Sequence, residues 1–150
     1  MLVNSYRTLV HAQAATIWKI LLDRMENPQN YLHGVDGVQI LERSPAGIVR
    51  QISWEGKTIT ERVLPEEKEL RITSELLEHP LYTGTIVIKA VPTSVQNPMS
   101  PHYLEVNVNL ERKSFQVPGL VRTEDELVAD IEKELEILKL KAEEAERQEG

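Results

Sequence analysis

Residues 48 to 63 read Ile48-Val49-Arg50-Gln51-Ile52-Ser53-Trp54-Glu55-Gly56-Lys57-Thr58-Ile59-Thr60-Glu61-Arg62-Val63. Two alternating runs flank Glu55-Gly56, a two-residue loop in which Gly can take positive φ, and such a loop fixes the register of the strands it joins. Counting outward, Trp54 faces Lys57, Ile52 faces Ile59, Arg50 faces Glu61 and Ile48 faces Val63, all on one side. The other side carries Ser53 with Thr58, Gln51 with Thr60 and Val49 with Arg62, and is plainly more polar. The first side is therefore the inward one, and a charge pair sits on it between two apolar pairs.

The same chemistry extends in both directions. From Val35 to Arg112 there is no helical periodicity, only extended segments separated by turn residues, which predicts an antiparallel meander and not βαβ units. Six strands are expected, over 35–43, 47–54, 57–64, 68–77, 81–91 and 102–113. In the last, Leu104, Val106, Val108 and Leu110 share one face while Glu105, Asn107, Asn109 and Glu111 share the other. Tyr82, Ile86, Ile88 and Ala90 point inward in the strand before it, and Leu70, Ile72 and Leu76 in the one before that. Residues 2–10 read as a further strand. After Gln13 the period changes, with Ile17, Ile20, Leu21 and Met25 at helical spacing. Asn27-Pro28 ends that helix and starts a second short one carrying Tyr31 and Leu32, which stops at Gly34. The chain closes with a long helix from about 120 to 147, where Leu127, Ile131, Leu135 and Leu138 form one apolar stripe. Thr123 with Glu126 at capping-box spacing marks its regular start. The last turns, 141–150, are nearly all charged and are expected to fray.

A helix of this length with one apolar stripe needs a partner surface, and the concave face of the sheet is the large one available. The expected fold is thus α+β: a seven-stranded curved antiparallel sheet wrapped around a long C-terminal helix, with two short helices between strands 1 and 2, in one domain spanning 1–150. This order resembles the helix-grip fold of the START and birch-pollen-allergen superfamily, SRPBCC. Segments such as Trp54-Glu55-Gly56-Lys57, Ile59-Thr60-Glu61-Arg62-Val63 and Val38-Gln39-Ile40-Leu41-Glu42-Arg43 are similar to its AtaL-like branch. The resemblance implies a cavity between sheet and long helix that binds hydrophobic ligands, as in polyketide cyclases and lipid carriers. It carries over no catalytic residues, because no catalytic motif matches.

Composition narrows the chemistry. The chain has 150 residues, 41% of them hydrophobic, and no cysteine, so its stability must come from packing, without disulfides, thiolate zinc or iron–sulfur clusters. A formal net charge of -7 with no basic cluster argues against nucleic-acid binding. Neither a signal peptide nor a run long enough to span a bilayer is seen, so the cytoplasm is the expected compartment and integral membrane association is not expected. His11, His33, His79 and His102 lie far apart, mostly at segment ends, and read as surface or turn residues; no metal and no cofactor is expected.

The inward pair Arg50 and Glu61 has two readings. Either it anchors a ligand's carbonyl, hydroxyl or carboxylate, or it is a satisfied cross-strand ion pair with Arg50 reaching for solvent. Tyr6 and Tyr82 can present hydroxyls to a cavity or sit in the core. Ile48, Ile52, Ile59, Val63, Ile72, Tyr82 and Val106 are the expected cavity walls. Turns at one end of the meander bring Tyr31, Leu32, Trp54, Phe115 and Val117 to a rim suited to ligand access. Three functions follow: a binding or carrier protein for a small apolar molecule with one polar end, a cyclase or aromatase using the same pocket, or a protein-interaction module using the rim or the acidic helix.

Overall fold

The structure, a computed structural model, describes residues 2–93, 101–113 and 124–149. It contains strand β1 (Leu2–Val10), helix α1 (Ala14–Glu26), strands β2 (Val35–Ser44), β3 (Gly47–Trp54), β4 (Lys57–Glu66), β5 (Arg71–Glu78), β6 (Tyr82–Pro92) and β7 (His102–Arg112), and helix α2 (Glu124–Glu149). All strands join one sheet in the order β1-β7-β6-β5-β4-β3-β2, every neighbouring pair antiparallel. The meander of six strands is closed on one side by β1 pairing with β7. No helix among the described residues is long and apolar enough to cross a membrane.

The deciding hairpin forms as its loop requires. Glu55 and Gly56 both take positive φ, 49° and 77°, the conformation whose twist matches that of the flanking strands. Consequently Ile48 pairs with Val63, Arg50 with Glu61, Ile52 with Ile59 and Trp54 with Lys57. Gly84 meets a different demand: its φ is 124°, and a Cβ there would stand 2.2 Å from the Asn109 carbonyl oxygen on β7.

Helix α2 lies against the concave face, burying Ile131, Leu135, Leu138 and Ala142 in the same core as Leu104, Val106 and Val108. Helix α1 adds Ile17, Leu21 and Met25, together with Trp18. That core is made without disulfides, and it depends on apolar area removed from water.

Several local expectations are corrected. The second short helix is a single 3-10 turn, Pro28–Asn30, and Tyr31 and Leu32 lie beyond it. Tyr31 is fully buried and not a rim residue; its hydroxyl donates to Asp23 Oδ2 at 2.6 Å, because a buried phenol needs an acceptor. Strand β5 begins at Arg71, not 68, since residues 67–69 form another 3-10 turn that ends on Leu70 in the left-handed region at φ 51°. Helix α2 continues through the charged stretch from 141 as far as Glu149. Its charges are used: Glu143 accepts the His11 N–H at 2.9 Å, Glu146 the Gln13 N–H at 2.6 Å, and Lys141 sits 4.7 Å over the Tyr31 ring. Helix α1 has no acidic residue in its first turn and no side-chain cap, so α2 supplies carboxylates to the chain entering it. The Thr123 capping box, Phe115 and Val117 lie outside the described residues.

Candidate functional site

Register places Arg50 and Glu61 side by side on the concave face, and burial decides what they can do. Their side chains are 3% and 12% exposed, so Arg50 does not reach solvent. Its Nη2 stands 3.4 Å from Glu61 Oε2, long for a charge-assisted bond, while its Nη1 donates to the Met25 carbonyl at 2.7 Å and to the Arg24 carbonyl at 3.3 Å. Arg50 therefore caps the last turn of α1, where carbonyls lack helical partners and the helix dipole favours a cation. Burial pushes the Arg50 pKa down, Glu61 pulls it back up, and neighbouring Arg24 lowers it again.

Arg24, in the last turn of α1, reaches the other way. Its Nη2 donates to Glu134 Oε1 of α2 at 2.8 Å, with side chains 10% and 14% exposed. Burial lowers its pKa, but the charge of and bond to Glu134 outweigh burial and leave it raised. A continuous line of charge thus runs from β4 through β3 and the end of α1 to α2. It is not fully satisfied: Arg24 Nε, Arg24 Nη1 and Arg50 Nε are buried and find no acceptor among the described residues.

These four charged side chains line a cavity of about 110 Å³ between sheet and α2. Ile52, Ile59, Leu76, Ile86, Leu110 and Ile131 give it apolar walls, and Leu32, Trp54 and Leu127 also border it. Trp54 is held in place by an Nε1–H bond of 2.8 Å to the His33 carbonyl. Tyr82, Ser74, Asp130 and His79 add polar groups. His79 Nδ1 accepts the N–H groups of Leu81 at 3.0 Å and Tyr82 at 3.2 Å, which assigns the proton of the neutral ring to Nε2. Among the described residues no three His, Asp or Glu side chains are grouped to hold a metal ion.

Of the residues singled out in the sequence, Arg50, Glu61, Ile52, Ile59, Tyr82 and Trp54 line this cavity. Ile48, Val63, Ile72 and Val106 do not; they are buried in the core cluster. Phe115 is outside the described residues. Tyr6 packs against the core. His79 lies in the β5–β6 turn, as expected, and also borders the cavity; His102 is corrected, being buried in β7 with its ring nitrogen 3.2 Å from the Ala12 carbonyl. Arg24, Glu134 and Asp130 were missed. The signal for the first two was present, since Arg24 falls three residues after Leu21 and Glu134 three after Ile131, each interrupting an apolar stripe.

A seven-stranded antiparallel sheet gripping a long C-terminal helix is a helix-grip fold, and this chain has it. The chain is similar to the Zhui aromatase/cyclase from a Streptomyces species, with a TM-score of 0.74 and 21% identity over 95% of this chain and 93% of that one. It is equally similar in fold to a protein from Thermus thermophilus, TM-score 0.74 at 15% identity, covering 96% of this chain and 99% of that chain. A third neighbour is the di-domain ARO/CYC BexL, TM-score 0.70 at 17% identity, where 95% of this chain matches 47% of that chain. No protein-family model matches the chain, and no curated protein does either, so the likeness to the AtaL-like branch rests on short segments alone.

Proposed function

We propose that the protein binds a small, mostly apolar molecule in the cavity between sheet and α2, with a polar end against Arg24, Arg50, Glu61 and Glu134. One observation carries this reading: an aliphatic cavity ends at a buried ionic cluster whose guanidinium N–H groups are only partly satisfied. Few convergent polar groups in a mainly apolar recess are the usual composition of a small-molecule site. A packed structural ion cluster, by contrast, has its donors matched. The proposed compartment is the cytoplasm.

The size of the space bounds the ligand. A cavity near 150 Å³ lined by apolar residues accepts a single benzene ring, so about 110 Å³ limits the enclosed part of a ligand to one small ring or a short branched chain at most, with anything larger passing out by Trp54, Leu32 and Leu127. Native mass spectrometry under gentle conditions should retain a small apolar molecule. Toluene, a neutral one-ring hydrocarbon, should raise Tm, because a ligand that binds only the folded state stabilises it. A protein that carries nothing and whose Tm is indifferent to toluene lacks the pocket.

A second reading, an enzyme of the cyclase kind, is supported by two neighbours described as aromatase/cyclase and ARO/CYC and by the polar side chains His79, Tyr82 and Glu61 in the cavity wall. A carrier releases its ligand unchanged and an enzyme does not, so mass analysis of the released molecule against the one supplied separates them.

A further inference from the structure

Resting on the cavity being a ligand site, we infer that the buried polar end of the ligand is a hydroxyl, as in a phenol or alcohol, received between the Glu61 carboxylate and the Ser74 hydroxyl. Which polar atoms open onto the recess decides this. Arg24 Nε, Arg24 Nη1 and Arg50 Nε are sealed, each with under 1 Å² of accessible surface. Arg50 Nη1 and Nη2 and Arg24 Nη2 are engaged by the Arg24 and Met25 carbonyls, by Glu61 and by Glu134. Glu61 differs: its side chain lines the recess and stays 12% exposed, Oε2 meets Arg50, and Oε1 bonds to none of the described residues. Ser74, in the middle of β5, is 5% exposed and lines the same recess. Its hydroxyl also bonds to none of the described residues, and it is not among the sealed atoms.

Ser74 is the exception on its face of β5, since its cross-strand partners Val63 and Ile86 and the flanking Ile72 and Leu76 are all aliphatic. An unmet hydroxyl in such surroundings is costly, and a ligand oxygen would meet it. The β4–β5 register sets Glu61 opposite Leu76 and Val63 opposite Ser74, so Glu61 and Ser74 are diagonal neighbours. Diagonal neighbours stand about 7–8 Å apart, which leaves room for one oxygen between the two side-chain ends. A carboxylate only accepts, whereas a serine hydroxyl donates and accepts. A ligand hydroxyl therefore satisfies both, donating to Glu61 and accepting from Ser74. An ether or ketone oxygen would turn lone pairs toward the Glu61 lone pairs. Ions of either sign are disfavoured, because Glu61 is already paired with Arg50 and Glu134 with Arg24. Asp130 also lines an outer groove with His33 and Lys133, so it stands at the edge of the recess. An ammonium or carboxylate would enter between Ile59, Ile86 and Leu110 without a counter-charge of its own.

The test is an NMR titration of the protein, carrying ¹³C-labelled Glu side chains, with phenol, toluene, anisole and benzylamine. Phenol and toluene have nearly the same shape and differ by a hydroxyl for a methyl. Phenol should bind about tenfold or more tighter than toluene, the gain of a hydrogen bond to a charged acceptor, and should shift the Glu61 carboxyl signal. Anisole, which has the oxygen but no donor, should show neither effect. Glu61→Gln should narrow the phenol-to-toluene ratio about tenfold. Ser74→Ala, which takes away no side-chain bond of the folded protein, should narrow it about threefold to tenfold. Toluene binding as well as phenol, or anisole as well as phenol, overturns this inference and leaves the cavity reading standing. So does a phenol preference that Ser74→Ala and Glu61→Gln both leave intact. Benzylamine binding tightest overturns it in favour of a cation site. Binding of none of the four overturns the cavity reading and this inference with it.

Discussion

Replacing Glu134 with Leu tests whether the ionic line is a matched unit. The Arg24–Glu134 pair is 2.8 Å long with side chains 10% and 14% exposed, so removing Glu134 strands a guanidinium at the end of α1 with one more donor unmet. Breaking a buried pair by deleting one partner costs about 3–5 kcal/mol. The remaining pull of Glu61 on Arg24 softens this, and about 2–4 kcal/mol is expected for Glu134→Leu. Arg24→Met leaves Glu134, which is slightly more exposed, and should cost about 1–3 kcal/mol. The double variant exchanges two charges for two apolar side chains of similar length beside Leu127 and Ile131, and should fall within about 1 kcal/mol of the wild type.

Urea unfolding followed by far-UV circular dichroism gives all three values, and the double-mutant cycle gives a coupling of about 2 kcal/mol or more. If Glu134→Leu costs under about 1 kcal/mol, or the double variant loses as much as the two single variants summed, the pair is not coupled. The charge line would then be incidental to the fold.

Three further outcomes follow from the geometry. Ile131→Asp should lower the thermal transition sharply, because it removes a buried aliphatic side chain of the core under α2 and puts a carboxylate in its place. Gly84→Ala should cost about 3 kcal/mol or more in urea unfolding, since its Cβ would overlap the Asn109 carbonyl oxygen at 2.2 Å in a backbone conformation that L residues avoid. Glu143 is opposed by burial, but the His11 N–H and Lys139 hold its carboxyl below its ordinary 4.5. The stability it contributes is therefore present above pH 4.5 and lost as pH falls through the lower folded value. Glu143→Gln should cost about 1 kcal/mol at neutral pH, and the difference from wild type should close under stronger acid in pH-dependent urea unfolding.

What was legible in the sequence is what local rules determine. The Glu55-Gly56 loop sets the register of β3 and β4 residue by residue, and from that register alone Arg50 and Glu61 become inward neighbours. The apolar stripe of α2 and the alternation of β7 identify which surfaces meet. The division of inward residues between core and cavity was not legible. Ile52 and Ile59 line space while Ile48 and Val63, two pairs further along the same face, are packed. Alternation reports which side a residue faces, and only the path of α1 and α2 across the sheet determines what stands opposite it. The contacts of the end of α2 were not legible for a related reason: Glu143 and Glu146 accept backbone N–H groups of residues 11 and 13, more than a hundred positions away in sequence.

Arg50 and Arg24 share the cavity wall but do not share a structural burden, and this determines which one can be used to probe binding. Arg50 Nη1 holds the carbonyls of Arg24 and Met25, so its removal uncovers the C-terminal end of α1 and frees the turn that carries Arg24 itself. A loss of ligand in Arg50→Met would therefore mix a lost contact with a displaced helix. Arg24 bonds instead to a side chain, Glu134, that can be neutralised in concert with it, leaving the backbone of α1 and its Arg50 cap intact. The helix end is thus fixed by one guanidinium so that a second, one turn back from Pro28, is presented to the cavity in a defined place. Such preorganisation reduces the ordering a ligand must impose.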